Sequence, residues 1–217
     1  MTKATSGTAA RATSSAPVAA QGPRSEREKS LISSAYRVIT RQGVHRTSLQ
    51  DIAEDAGVSK GLLVYHFKSK DVVLITTMRW ALQRTADRIR SRLSEADGDA
   101  RNAVHALVDA VFVGPDQNRE FYLLYLDLVE HSARAPSFSE LAPLTREIIN
   151  GLYGEILREG VASGAFVIED VEEAATRMRA YIDGIFLTWL QEEDWRGTYA
   201  RYRQMCQNGL LQLLVAN

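Results

Sequence analysis

Few side chains in this sequence are spaced for catalysis. Of the four histidines, His45, His66, His105 and His131, none has a glutamate three positions before it, the spacing from which a carboxylate-bridged dimetal helix bundle is built. The single cysteine, Cys206, has no second thiol to bridge to and no nearby histidine to activate it or share a metal, so it reads as a packed helix residue. Gly-rich phosphate loops, Gly-x-Ser-x-Gly elbows and His-Glu-x-x-His pairs are missing. These residues point to no enzyme, no cofactor and no metal. The chemistry that remains is recognition, and it gathers in GVSKGLLVYHF, residues 57–67. The second half of that stretch reads either as a buried strand or as a helix entered through a turn, and only the helix could present Lys60 and Gly61 to DNA.

The charge distribution keeps a nucleic-acid partner open. The net charge of −1 averages two unlike parts: residues 1–70 hold 11 Lys and Arg against 5 Asp and Glu, and residues 71–217 hold 15 against 22. All five lysines, Lys3, Lys29, Lys60, Lys68 and Lys70, lie in the basic part. That is a local footprint for phosphates, unless it is an accident of solvated faces. With 45% hydrophobic and 24% charged residues, the 217 positions suit a soluble globular protein of one large or two small domains. No apolar run approaches the roughly 18 residues of a membrane span, and no secretory apolar core is present, so a cytoplasmic location is expected.

The elements that must position the candidate residues are helices. Residues 1–24 are Ala, Ser and Thr with Gly and Pro breakers and no acid, an expected disordered arm in which Lys3, Arg11 or Arg24 could reach a minor groove. From Ser25 the pattern turns helical: Ser25 and Glu28 form a capping box, Leu31, Ala35 and Ile39 recur on one side, and Gly43 closes the segment. Further helices are expected over 49–56, 60–67, 70–92, 99–113, 117–134, 137–162, 171–191 and 195–214, making about nine and no strand. The reading is an all-α chain with a three-helix head over 25–70 and a helical bundle over 71–217.

In that setting residues 60–67 have no strand to pair with, and Ser59 is a good N-cap, so the helix is favoured. Ala53 is small where two helices must approach, Gly57 stands at the sharp turn four residues later, and Ile52, Val58 and Leu63 would pack the pair together. This is the spacing of a helix-turn-helix, with an ordinary helical hairpin as the alternative. At 100° per residue from Leu63, Phe67 also points inward while Gly61 and Tyr65 point out. Gly61 costs a helix interior about 1 kcal/mol relative to Ala, a cost that makes sense where the backbone must approach base edges.

The stretch TSLQDIAEDAGVSKGLLVYHFKSKDVV, with Ser69-Lys70-Asp71 opening the next helix, resembles the DNA-binding segment of the TetR family of bacterial transcriptional regulators. The resemblance is dense over 27–73, and IDGIFLTWLQEEDW, residues 182–195, resembles the penultimate helix of the family's betaine-regulator-like branch. It implies a ligand-responsive regulator, most simply a repressor that binds a palindromic operator as a homodimer and is released by a small molecule. It also implies that Thr47 and Ser48 meet phosphate, that Lys60, Gly61 and Leu62, following the Ser59 cap, face base edges, and that Tyr65 and Lys70 reach phosphates. His66 and Phe67 would anchor the recognition helix. Val64 departs from the family, which usually has a phosphate-binding tyrosine there.

The family's effector site would be enclosed by the helices over 70–92, 99–113, 117–134 and 137–162. The candidate liners are Trp80, Phe112, Phe121, Tyr122, Tyr125, Tyr153 and Phe166, although aromatic residues at helical spacing also serve simply as core. Asp127, Glu130 and His131 sit on a nearly apolar helix, where charge is costly unless paired; a cationic ligand, solvent or arginine partners would each account for them. For a dimer, Tyr199, Tyr202, Cys206, Leu210 and Leu213 form one stripe, and Ile182, Phe186, Trp189 and Leu190 another, with Gly184 permitting close approach. Burial of both stripes within one chain is the alternative. A helical enzyme or carrier with an incidental basic end is the competing function.

Overall fold

The computed structural model describes residues 25–95 and 100–215, and the arm expected over 1–24 lies outside them. The head begins where the Ser25 hydroxyl accepts from the Glu28 amide while the Glu28 carboxylate accepts from the Ser25 amide, the reciprocal cap that starts α1 (Glu26–Gln42). α1 buries Leu31, Ile32, Ala35, Val38 and Ile39 and ends at Gly43, whose φ of 83° suits glycine. Ser48 and Asp51 repeat the reciprocal cap at the start of α2 (Leu49–Asp55), a box in which aspartate takes the usual place of glutamate. α2 stops in a Schellman turn: the Val58 amide donates to Ala53 and the Gly57 amide to Glu54, with Gly57 at φ 63°. The Ser59 hydroxyl then accepts from the Leu62 amide and opens α3 (Lys60–Phe67).

An eight-residue helix has too few internal hydrogen bonds to stand alone. Leu63 and Phe67, 0% and 5% exposed, pin it to the head, and burial of two such side chains contributes about 3 to 6 kcal/mol. The alternative strand is thereby excluded: residues 60–67 are helical, and no strand occurs among the described residues.

α4 (Lys70–Ser94) leaves the head and becomes the longest rod of the bundle. It packs on α1 and on α5 (Ala100–Val111); α6 (Pro115–Arg134) lies against α1, α4 and α10. The segment expected as one helix over 137–162 is divided. A 3-10 turn at Pro136–Phe138 precedes α7 (Leu141–Thr145), a π-helical turn spans Arg146–Asn150, and α8 (Gly151–Ala162) completes the rod. α9 (Val171–Trp189) packs on α8 and on α10 (Trp195–Val215), which also packs on α5. No helix among the described residues is long and apolar enough to cross a membrane.

The expected dimer stripes turn out to face their own chain. Ile182, Phe186 and Trp189 on α9, and Tyr202, Cys206 and Leu210 on α10, are at most 4% exposed. Trp189 donates its indole N–H to the Trp195 carbonyl at 2.6 Å, and Tyr199, half-buried, bonds through its hydroxyl to Gly114 and Asn118, stapling α10 to the start of α6. Leu190 is also half-buried, and only Leu213 of the nine stands exposed. These stripes are the hydrophobic sides of two helices that close one core. Burial holds the Cys206 thiol protonated, its pKa pushed up to about 12. What α9 and α10 present outward is a different face, with Gly184 open to space and Leu187 and Met205 exposed.

The Gly57 turn gives the first test. No atom crowds a Cβ there, so Gly57→Ala should act through the positive φ alone and lower unfolding free energy by about 1 to 2 kcal/mol in urea titration.

Candidate functional site

The outward side of the head is built by the two caps and the short helix. Ser48, Ser59, Lys60, Gly61 and Tyr65 are exposed and Leu62 is half-exposed, Tyr65 reaching 70%. Lys68 holds a left-handed backbone at φ 66° and turns its ammonium back to the Tyr65 carbonyl at 2.9 Å, 5.1 Å from the Tyr65 ring. A Cβ added to Gly61 would meet only the Ser59 hydroxyl, at 3.8 Å. Packing within the chain therefore does not require glycine at that position. Such a surface, with a cation, a phenol and a bare stretch of helical backbone, can bond to phosphates and approach base edges.

Of the nine residues expected at the DNA face, Thr47 and Lys70 are turned away from that side, and His66 faces inward, as its expected anchoring role requires. Thr47 is 2% exposed, its hydroxyl donating to the Gly43 carbonyl at 2.8 Å. His66 points to α1, its Nδ1 lying 3.8 Å from Glu28. Lys70 donates its ammonium to the Val44 carbonyl at 2.7 Å, and burial lowers its pKa. Each satisfies a polar group inside the head or at its base, a demand that sequence spacing does not reveal.

That base is where Asp127, Glu130 and His131 find their partners. The Asp127 carboxylate accepts from the Val44 amide at 3.0 Å, Glu130 bonds His45 at 3.0 Å, and His131 lies 3.3 Å from Asp71. Glu130, part-exposed, also pairs with Arg134, the arginine partner that is one of the expected accounts, and the row as a whole docks α6 on the loop between α1 and α2 and on the start of α4. Gly43 belongs to the same contact, since a Cβ on it would come within 3.2 Å of the Asp127 carboxylate.

Above the clasp the bundle encloses a cavity of about 410 Å³, within the roughly 300 to 1,000 Å³ typical of small-molecule sites. Five of the seven expected liners meet there: Trp80 from α4, Phe121, Tyr122 and Tyr125 from α6, and Tyr153 from α8. Phe112 and Phe166 do not. Phe112 stacks on Phe186 at 4.5 Å in the core, and Phe166 folds onto α8 at Gly160, where a Cβ would collide with its ring. The sequence reading also passed over the polar wall. Arg179 reaches the Tyr125 hydroxyl at 2.8 Å, Asn150 at 3.3 Å and Asp183 at 3.4 Å, while the Tyr122 hydroxyl donates to Asp183 at 3.3 Å. Burial raises the pKa of Asp183. Two opposite charges four residues apart inside an apolar helix are the signal that could have revealed this pair. Tyr36 from α1 and Arg84 and Arg88 from α4 also line the cavity.

An exposed recognition helix carried on an all-helical bundle with its own cavity defines a helix-turn-helix transcriptional regulator. Residues 31–76 match the family described as bacterial regulatory proteins, tetR family, and residues 100–215 match the BetI-type transcriptional repressor C-terminal family. The chain belongs to the TetR family, with a BetI-type C-terminal domain. The HTH-type transcriptional regulator BetI of Escherichia coli is 27% identical over 168 residues, covering 76% of this chain and 83% of that protein. KstR2, an HTH-type transcriptional repressor of Rhodococcus jostii, is 29% identical over 157 residues, covering 72% and 76%. Among solved structures, a transcriptional regulator of Saccharomonospora viridis in complex with choline superposes with a TM-score of 0.71 and 27% identity, over 87% of this chain and 97% of that one. The fatty acid degradation regulator FadR of Bacillus halodurans gives 0.69 and 25%, over 87% and 98%.

The clasp is testable without DNA. Asp127→Ala removes the acceptor of the buried Val44 amide and should cost about 1 to 3 kcal/mol in urea unfolding, whereas Asp127→Asn, which keeps an acceptor oxygen, should cost less than half as much.

Proposed function

We propose that the protein is a ligand-controlled repressor acting in the cytoplasm, a homodimer that covers a palindromic operator and is released when a small molecule enters the cavity. The observation that carries this reading is the continuity of two rods. α4 and α6 both line the cavity, through Trp80 and Arg84 and through Phe121 and Tyr125, and both end on the Val44 loop, through Lys70 and Asp127. A ligand that shifts either helix moves the loop against which the recognition helix is set. Coupling of this kind typically amounts to about 1 to 3 kcal/mol, enough to weaken operator binding severalfold to a hundredfold.

On the DNA side, Lys60, Gly61 and Leu62 read base edges and Tyr65 and Ser48 hold phosphates. Tyr65 supplies the hydroxyl that Val64 lacks. Lys70 acts mainly as a brace, since its ammonium is committed to Val44. The two subunits meet through the outward face of α9 and α10, where Gly184 leaves room for close approach and Leu187 and Met205 await cover. A twofold pair then sets its recognition helices on successive major grooves, about 34 to 36 Å apart.

Fluorescence anisotropy with DNA flanking the chromosomal gene tests the reading. The free protein should bind it with a specific, salt-sensitive affinity, and equal binding to scrambled DNA of the same length overturns it. In the same assay Gly61→Ala should weaken operator binding at least tenfold while leaving the protein as stable or about 1 kcal/mol more so, because a methyl gains helix propensity and makes only an ordinary contact with the Ser59 hydroxyl. Unchanged affinity would remove Gly61 from the DNA face. Leu187→Glu should turn the dimer into a monomer by light scattering and abolish operator binding with it; a dimer that persists places the interface elsewhere.

A further inference from the structure

An aromatic cavity in a chain akin to a choline-bound regulator invites a quaternary ammonium, but the charges around this one are arranged against a cation. The Trp80 ring, the largest π surface in the lining, is already occupied: the Arg84 guanidinium lies 4.7 Å from its centroid, and Tyr36 meets it edge-on at 5.6 Å. Asp183, the carboxylate deepest in the wall, is spent on Arg179 and the Tyr122 hydroxyl. With that internal pair set aside, the lining holds Arg84 and Arg88 against one acid, Glu120.

Arg84 and Arg88 stand one helical turn apart on α4, and among the described residues neither has a carboxylate within 4 Å. Their side chains are close enough for the charge of Arg84 to depress the pKa of Arg88, which burial depresses more. The Arg88 guanidinium is held in place by its Nε, which donates to the Ala110 carbonyl at 2.6 Å, and by Nη2, which reaches Thr85 at 3.4 Å; Nη1 has no acceptor among the described residues. A half-buried, pre-oriented guanidinium beside a second one has the donors and the charge to take a carboxylate. The same cavity is lined by the apolar side chains of Val111, Phe121 and Ile149.

We propose that the effector is an amphipathic organic anion, its carboxylate held between Arg84 and Arg88 and its apolar body laid against Phe121 and Ile149. This rests on the reading of the cavity as the effector site and gives that site its ligand class. It also explains how a ligand is felt: the anion would seat on α4, the helix whose first residue, Lys70, braces the Val44 loop.

The test is isothermal titration of the full-length protein with matched probes: octanoate against octan-1-ol, 4-phenylbutyrate against 4-phenylbutan-1-ol, and octyltrimethylammonium and choline as cations. Each carboxylate should bind roughly tenfold or more tightly than its alcohol, the gain expected of a charge-assisted pair. In the double variant Arg84→Gln, Arg88→Gln that advantage should fall below about twofold while alcohol affinity stays unchanged, which also shows that the cavity is intact. Preference for either cation, equal binding of carboxylate and alcohol, absence of carboxylate binding, or an advantage that survives in the double variant overturns the inference. Operator binding measured on the same samples separates this from the regulator reading. Carboxylate preference without operator binding sinks the regulator and leaves the anion site standing, and operator binding without carboxylate preference sinks only the anion site.

Discussion

The main chain of one residue, Val44, holds the two halves of this molecule in register. The Val44 residue is 1% exposed, so both polar groups of its main chain must be satisfied locally. The partners come from opposite directions: Asp127 on α6 accepts from its N–H, and Lys70 at the start of α4 donates to its carbonyl. Neither helix can slide without leaving a buried group unpaired, at a cost of about 1 to 3 kcal/mol. The helix-turn-helix rides on this loop, because α1 enters it, α2 leaves it, and α3 packs on α2 and α4 with Leu63 and Phe67 buried.

The same two helices form the walls of the cavity, and the physics there is complementary. In the head, polar groups are spent on fixing geometry. In the cavity, part of the polar wall is spent and part is not: Arg179, Asp183, Tyr122 and Tyr125 satisfy one another, while Arg84 and Arg88 retain unused capacity. A wall that is half closed and half available leaves few places for a ligand's anionic group, and those, Arg84 and Arg88, lie on α4. A ligand acting there works on a helix whose far end is already bonded to the head.

Much of the helical architecture was legible because it is written in local rules. Ser25 with Glu28, Ser59 before the apolar run, and Gly43 and Gly57 after theirs mark helix ends through hydrogen bonds made within four residues. The helix-turn-helix was readable for the same reason, since Ala53, Gly57 and Leu63 act at short range. Where tertiary contacts set the outcome, the reading failed. Thr47 and Lys70 have the right chemistry for DNA but are claimed by Gly43 and Val44. Aromatic spacing found five cavity liners, yet could not tell Phe112 and Phe166 from them, because core and cavity faces share one periodicity.

The apolar stripes of α9 and α10 make the division plain. The sequence by itself determined that each helix has one strongly apolar side, that the chain is all-helical, that a basic head precedes an acidic bundle, and that a helix-turn-helix lies at residues 49–67. It could not determine what each apolar side would meet. Only the tertiary structure decided that Phe186, Trp189 and Cys206 close the core of their own chain, leaving Gly184, Leu187 and Met205 outside, and that Asp127 answers Val44 across 83 positions of sequence. The reason is range. Capping and periodicity are fixed by bonds within a turn or two, whereas the partner of a buried charge or an apolar face depends on which distant segment the whole fold brings beside it.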